Sequence, residues 1–152
     1  MESVTIEFDD ATLKVEKDRI LDNMSEEDVY WCYGADITLS DSVKELYIEA
    51  PLFYFTEKLL ELSSITTSKK YTIPDHYDSY RLQVNYKNAE VIIFDEYGGG
   101  EVKLVLKRFF KLYEKAFQEA VGKLLENNHA LNECNSFMIV FRQLDERLKS
   151  FC

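Results

Sequence analysis

From residue 71 to 106 the apolar side chains of this chain recur mostly at every second position, and from 107 to the end they recur with the period of a helix. That order constrains the fold more than any motif does. Tyr80, Leu82, Val84 and Tyr86 alternate with Arg81, Gln83, Asn85 and Lys87, the pattern of a strand with one buried face. Phe110, Tyr113, Phe117, Ala120, Val121 and Leu124 instead fall on one stripe of a helix over 107–127. Phe137, Phe141, Leu144, Leu148 and Phe151 fall on a second stripe, over 133–150 and just beyond. Strands followed by helices, with no repeating βαβ unit, specify an α+β fold. The expectation is an antiparallel β-sheet built from hairpins, with one mid-chain helix and two long C-terminal helices packed on it.

The N-terminal part adds shorter elements. Val4, Ile6 and Phe8 alternate with Thr5 and Glu7, Asp9-Asp10-Ala11 reads as a turn, and Leu13 and Val15 resume the alternation, which predicts a hairpin. Ser25 ahead of Glu26, Glu27 and Asp28 has the form of an N-cap with an acidic first turn. The short helix that follows should pass through Trp31 and stop at Gly34. Strands over 35–39 and 43–49 flank Ser40-Asp41-Ser42. Ala50-Pro51 opens an amphipathic helix over 52–63, since proline is tolerated in a first turn and Leu52, Phe55, Leu59 and Leu62 share a face. Corners at Lys87-Asn88-Ala89 and Gly98-Gly99-Gly100 make the strands around 80–86, 90–95 and 102–106 antiparallel neighbours. The unbroken Val91-Ile92-Ile93-Phe94 predicts a strand covered on both faces. At 152 residues the chain is expected to form one domain, 1–152, burying roughly 70% of the surface its unfolded form exposes.

Catalytic signatures are scarce. The only histidines are His76 and His129, too few for a histidine-rich metal site or a zincin helix. His76 lies in Pro74-Asp75-His76-Tyr77-Asp78, where a neighbouring carboxylate could orient the imidazole for acid–base chemistry, although such a stretch also forms an ordinary surface turn. The triple glycine lacks the Gly-Lys-Ser/Thr ending of a phosphate loop, and Asp95-Glu96 and Glu101 around it would repel a phosphate. Those acids match no calcium-loop spacing. Cys32, Cys134 and Cys152 form an odd set without CxxC spacing, which fits a reduced cytoplasmic compartment. Neither a secretory leader nor a membrane span is legible. No catalytic residue, metal or cofactor is expected.

Charge is distributed unevenly. Residues 1–62 carry 16 acidic and 5 basic side chains, whereas the remaining 90 carry 12 and 13. A surface so biased suits a basic partner. The acids Asp9, Asp10, Asp18, Asp22, Glu26, Glu27, Asp28 and Asp36 are interleaved with Tyr30, Trp31 and Tyr33. If they converge, Asp22, Glu26, Glu27, Asp28 and Asp36 would supply charge to a partner-binding surface, and Tyr30 and Tyr33 the packing. A second cluster, Lys103, Lys107, Arg108, Lys111 and Lys115, begins the penultimate helix. Pairing with acids of the same fold or plain solvation explains it better than nucleic-acid binding, given a pI near 4.7.

With its acidic stretch Asp18 to Asp36 and its motif-poor helical end Phe109 to Phe151, the chain resembles in build the immunity proteins of bacterial polymorphic toxin systems. That resemblance implies a small cytoplasmic α+β domain without catalytic activity that inhibits a cognate toxin by binding it, through protein–protein contact alone. The corresponding expectations are a basic protein partner, no nucleic acid, no membrane, and a monomer or homodimer. Two alternatives stand beside it: a small enzyme built on the His76 loop, and a homo-oligomeric structural module.

Overall fold

A computed structural model describes residues 2–8, 25–63, 70–72, 80–85, 90–95 and 100–151. Strand β1 (Ser3–Phe8) turns Ile6 and Phe8 inward and leaves Thr5 and Glu7 exposed, as its alternation requires. Its antiparallel neighbour is β2 (Gly34–Ser40), with Ser3 opposite Ser40 and Phe8 opposite Ala35. Strand β3 (Glu45–Pro51) pairs with the other edge of β2, so this three-stranded sheet runs β1-β2-β3. The expected pairing of 4–8 with residues around 13–15 falls outside the described residues.

Asp41 closes the β2–β3 turn by accepting the backbone N–H groups of Val43 and Lys44, each at 2.7 Å. Those bonds, that of Lys44 first, hold its carboxyl below the usual range.

Four further strands, β4 (Lys70–Thr72), β5 (Tyr80–Asn85), β6 (Glu90–Asp95) and β7 (Glu101–Val105), form a second antiparallel sheet in chain order. The expected single sheet is thus divided in two. In β6, Val91 and Ile93 are fully buried while Ile92 and Phe94 are half-buried, so one face is sealed and the other partly covered. The sheets approach each other where β7 begins: a Cβ at Gly100 would stand 3.1 Å from Leu46 Cδ2 of β3.

Helix α1 (Glu26–Cys32) precedes β2, α2 (Leu52–Ser63) follows β3 directly, and α3 (Leu106–Asn127) follows β7 without a loop. Leu106, expected to end a strand, starts α3 instead. It continues the two-residue period of Val102 and Leu104, so the local pattern could not separate the readings. A 3₁₀ turn (His129–Glu133) leads to α4 (Asn135–Ser150). Helix α3 contacts β1, β6 and β7, and thereby ties the two sheets to one layer of helices. The fold is α+β, and a single core cluster takes residues from both sheets and all four helices.

The core is aromatic at its centre. Tyr33 and Phe53 each meet Phe137 edge-on, at 5.4 and 5.5 Å between centroids, and Phe53 meets Phe117 likewise at 5.8 Å. These contacts join α2, α3 and α4 to the segment between α1 and β2. Tyr33 was expected on a binding surface. It is instead fully buried, wedged also against Phe8 and Phe53, while its backbone carbonyl accepts the N–H of Leu52 at 2.9 Å. The reason is positional: Tyr33 ends α1 where the chain turns into the central strand, so its ring is carried into the core.

Candidate functional site

The outward positions of the three-stranded sheet are Ser3, Thr5 and Glu7 on β1, Asp36, Thr38 and Ser40 on β2, and Glu45, Tyr47 and Glu49 on β3. Register sets Glu7 directly opposite Asp36, and Asp36 directly opposite Glu49. One row across three strands is therefore all carboxylate. Like charges facing each other across strands cost stability, and no basic residue shares these outward positions.

Tyr47 stands in the next row and is half exposed. Its hydroxyl donates to Glu49 Oε1 at 3.3 Å, with the Asp36 carboxylate close by. The Asp36 carboxylate first, then desolvation and the charges of both acids, hold the phenol far above its usual pKa, so it remains a neutral donor. The ring is an aromatic anchor set among carboxylates.

A second acidic surface lies between α1 and α2. Ser25 caps α1 through a reciprocal pair: Ser25 Oγ accepts the N–H of Asp28 at 3.2 Å, and Asp28 Oδ2 accepts the N–H of Ser25 at 3.0 Å. Asp28 is thus occupied in holding the helix. With α1 fixed, Glu27, Tyr30 and Trp31 face Tyr54, Glu57, Lys58 and Glu61 of α2 across an open cleft of about 420 Å³. Trp31 stacks on Tyr54 with 4.2 Å between centroids and 28° between planes. Lys58 Nζ sits 5.6 Å from the centre of the Tyr54 ring and 3.0 Å from Glu61 Oε2. The bond to Glu61 raises the Lys58 pKa, so the ammonium stays charged. At the other end Arg147 of α4 reaches Glu57 at 2.7 Å. Burial first, then the charge of Glu57, raises the pKa of Tyr30 beside that pair.

The expected binding residues therefore separate. Asp36 belongs to the sheet face, Glu27 and Tyr30 line the cleft, Glu26 shares the first turn of α1, and Asp28 is its cap. Tyr33 is core, and Asp22 lies outside the described residues, as do His76 and most of the triple-glycine corner. Glu7, Tyr47 and Glu49 carry no local signal as partners of Asp36, because they join it only through the non-local β1–β2 pairing and the register of β3. Tyr54, Glu57, Lys58 and Glu61 had a legible signal, since their spacing of three, four and seven places them on one helix face.

Of the basic cluster, Arg108 approaches Glu2 at 3.8 Å and Lys103 approaches Glu101 at 3.9 Å. Lys107, Lys111 and Lys115 are exposed and make no ion pair among the described residues, so intramolecular pairing accounts for the cluster only in part. Among the described residues no group of three or more His, Cys, Asp or Glu could hold a metal ion, and no helix is long and apolar enough to cross a membrane. No protein-family model, no curated protein and no solved structure matches this chain.

Proposed function

We propose that this chain is a non-catalytic binding protein that neutralises a basic protein partner, in the manner of an immunity protein that inhibits its toxin, and that the partner docks on the outer face of the three-stranded sheet. The observation that carries this reading is the row Glu7–Asp36–Glu49, which places three carboxylates side by side with Glu45 and the exposed Tyr47 nearby. Opposed like charges cost the fold stability, and a cationic surface docked on the row would offset that cost.

Three strands of this length span roughly 10 Å by 20 Å. That area is the centre of an interface, and flanking surface would complete the ~800 Å² per partner of a stable complex. In such a centre an aromatic side chain supplies much of the affinity, while the surrounding acids accelerate encounter and reject acidic competitors. Bound there, a toxin domain would have its cationic active surface covered where substrate phosphates would otherwise sit.

The test is affinity capture from the source cells at low salt, repeated at ~0.5 M salt, where screening shortens to a few Å. Recovery of one basic protein that is released by salt, and whose toxicity or activity falls when this chain is added, supports the reading. A partner that is acidic, or held equally at both salt concentrations, contradicts it.

A further inference from the structure

We propose that the cleft between α1 and α2 is a binding site for a guanidinium group, the side chain of an arginine. It lies apart from the sheet-face row and its ligand can be supplied as a small molecule, so it goes beyond the docking described above.

The cleft already holds one cation in a recognisable setting. Lys58 Nζ lies over the Tyr54 ring and is closed off by Glu61, an ammonium between an aromatic face and a carboxylate. The α1 wall repeats two of those three parts. Trp31, a residue 49% exposed, presents its indole, and Glu27 stands four residues before it, on the same side of the helix. Glu27 makes no ion pair among the described residues, whereas Glu57 and Glu61 are each neutralised, by Arg147 and Lys58. The surplus negative charge of the cleft therefore sits beside the exposed indole, and the cation that would complete the arrangement must come from outside.

A guanidinium fits this position better than an ammonium does. It is planar and weakly hydrated, so it can lie flat on the indole while its edge donates two hydrogen bonds to one carboxylate. Stacking on Tyr54 fixes the indole in advance, which limits the side-chain ordering that binding requires. The cleft volume, about 420 Å³, lies in the range of small-ligand pockets.

Trp31 is the only tryptophan of the chain, so its fluorescence reports this site directly. The experiment titrates the full chain with N-acetyl-arginine amide, N-acetyl-lysine amide and N-acetyl-citrulline amide at constant ionic strength. Citrulline keeps the shape of arginine and removes its charge. Expected is a saturable change with the arginine probe, a weaker response with lysine and none with citrulline. Glu27→Gln, at an exposed position, should weaken arginine binding about tenfold, with the thermal midpoint of the variant as the check that the fold is kept.

The inference is overturned by the absence of a saturable arginine response, by an equal response to citrulline or lysine, or by an unchanged affinity in Glu27→Gln. Substituting Glu7, Asp36 and Glu49 by their amides should leave the arginine titration as it is while weakening partner capture. The cleft proposal and the sheet-face reading thus fail separately.

Discussion

Helix α2 carries one wall of the cleft, and a buried hydrogen bond pins it to α3. Thr56 Oγ1 lies 2.6 Å from the Tyr113 hydroxyl and 2.7 Å from the carbonyl of Leu52, and both side chains are fully buried. Thr56 has one proton, and the Leu52 carbonyl can only accept it, so Tyr113 is the donor to Thr56. Burial raises the Tyr113 pKa despite that bond, and the phenol stays neutral.

This assignment makes the two obvious deletions unequal. Tyr113→Phe removes one hydrogen bond and leaves Thr56 satisfied by Leu52, at a cost of about 0.5–1.5 kcal/mol. Thr56→Val keeps the shape but leaves the Tyr113 hydroxyl buried without an acceptor, at about 1–3 kcal/mol. The double variant leaves nothing orphaned and should cost less than the sum of the singles by about 1 kcal/mol. Urea denaturation read by circular dichroism measures all three, and in a thermal melt a 1 kcal/mol loss should appear as ~2–4 °C in Tm. A Thr56→Val no worse than Tyr113→Phe would refute the donor assignment, and strictly additive singles would refute the coupling between the two hydroxyls.

Further outcomes are expected elsewhere. Ser25→Ala breaks the capping box of α1 and should cost about 1 kcal/mol, with a change in Trp31 emission as the cleft loosens; an unaltered spectrum would mean that the cap does not position the indole. Glu7→Gln relieves one opposed carboxylate pair and should stabilise the fold by about 0.2–1 kcal/mol at low salt, a gain that shrinks as salt is added; destabilisation would contradict the stated register. Glu114 has one carboxyl oxygen buried without a hydrogen-bond partner, and burial first, then the charge of Asp145, raises its pKa against the opposing Lys149. A carboxyl raised on folding contributes stability below its unfolded pKa and loses it as pH climbs through the folded value. Glu114→Gln should therefore be more stable than the parent at neutral pH, with the difference closing towards about pH 4; a difference independent of pH would exclude this carboxyl as its source.

The elements that could be read from the sequence are those whose signals are local. The stripes of α3 and α4 gave Phe110, Tyr113, Phe117, Phe137, Leu144 and Leu148 as core, and all six are buried. Ser25 identified the start of α1, and the short corners implied the antiparallel order of β5, β6 and β7. What stayed hidden depends on contacts between distant segments. The row Glu7–Asp36–Glu49 exists only because β1 pairs with β2 across a long intervening stretch, and no period within either strand encodes that partner. Tyr33 departs from its local pattern for a related reason: in composition it belongs with half-buried Tyr30 and exposed Trp31, and only the turn from α1 into the central strand sends it inward. The cleft needed both its helices in place, although the polar face of α2 was visible beforehand.

The docking role of the carboxylate row can be measured most directly by running the parent and the Glu7→Gln/Asp36→Asn/Glu49→Gln variant side by side in the same capture, at low salt and at ~0.5 M salt. A basic protein should be retained by the parent at low salt, released at high salt and retained poorly by the variant at either. A partner held equally by both, or by neither at low salt, would contradict the assignment of the sheet face as the docking surface.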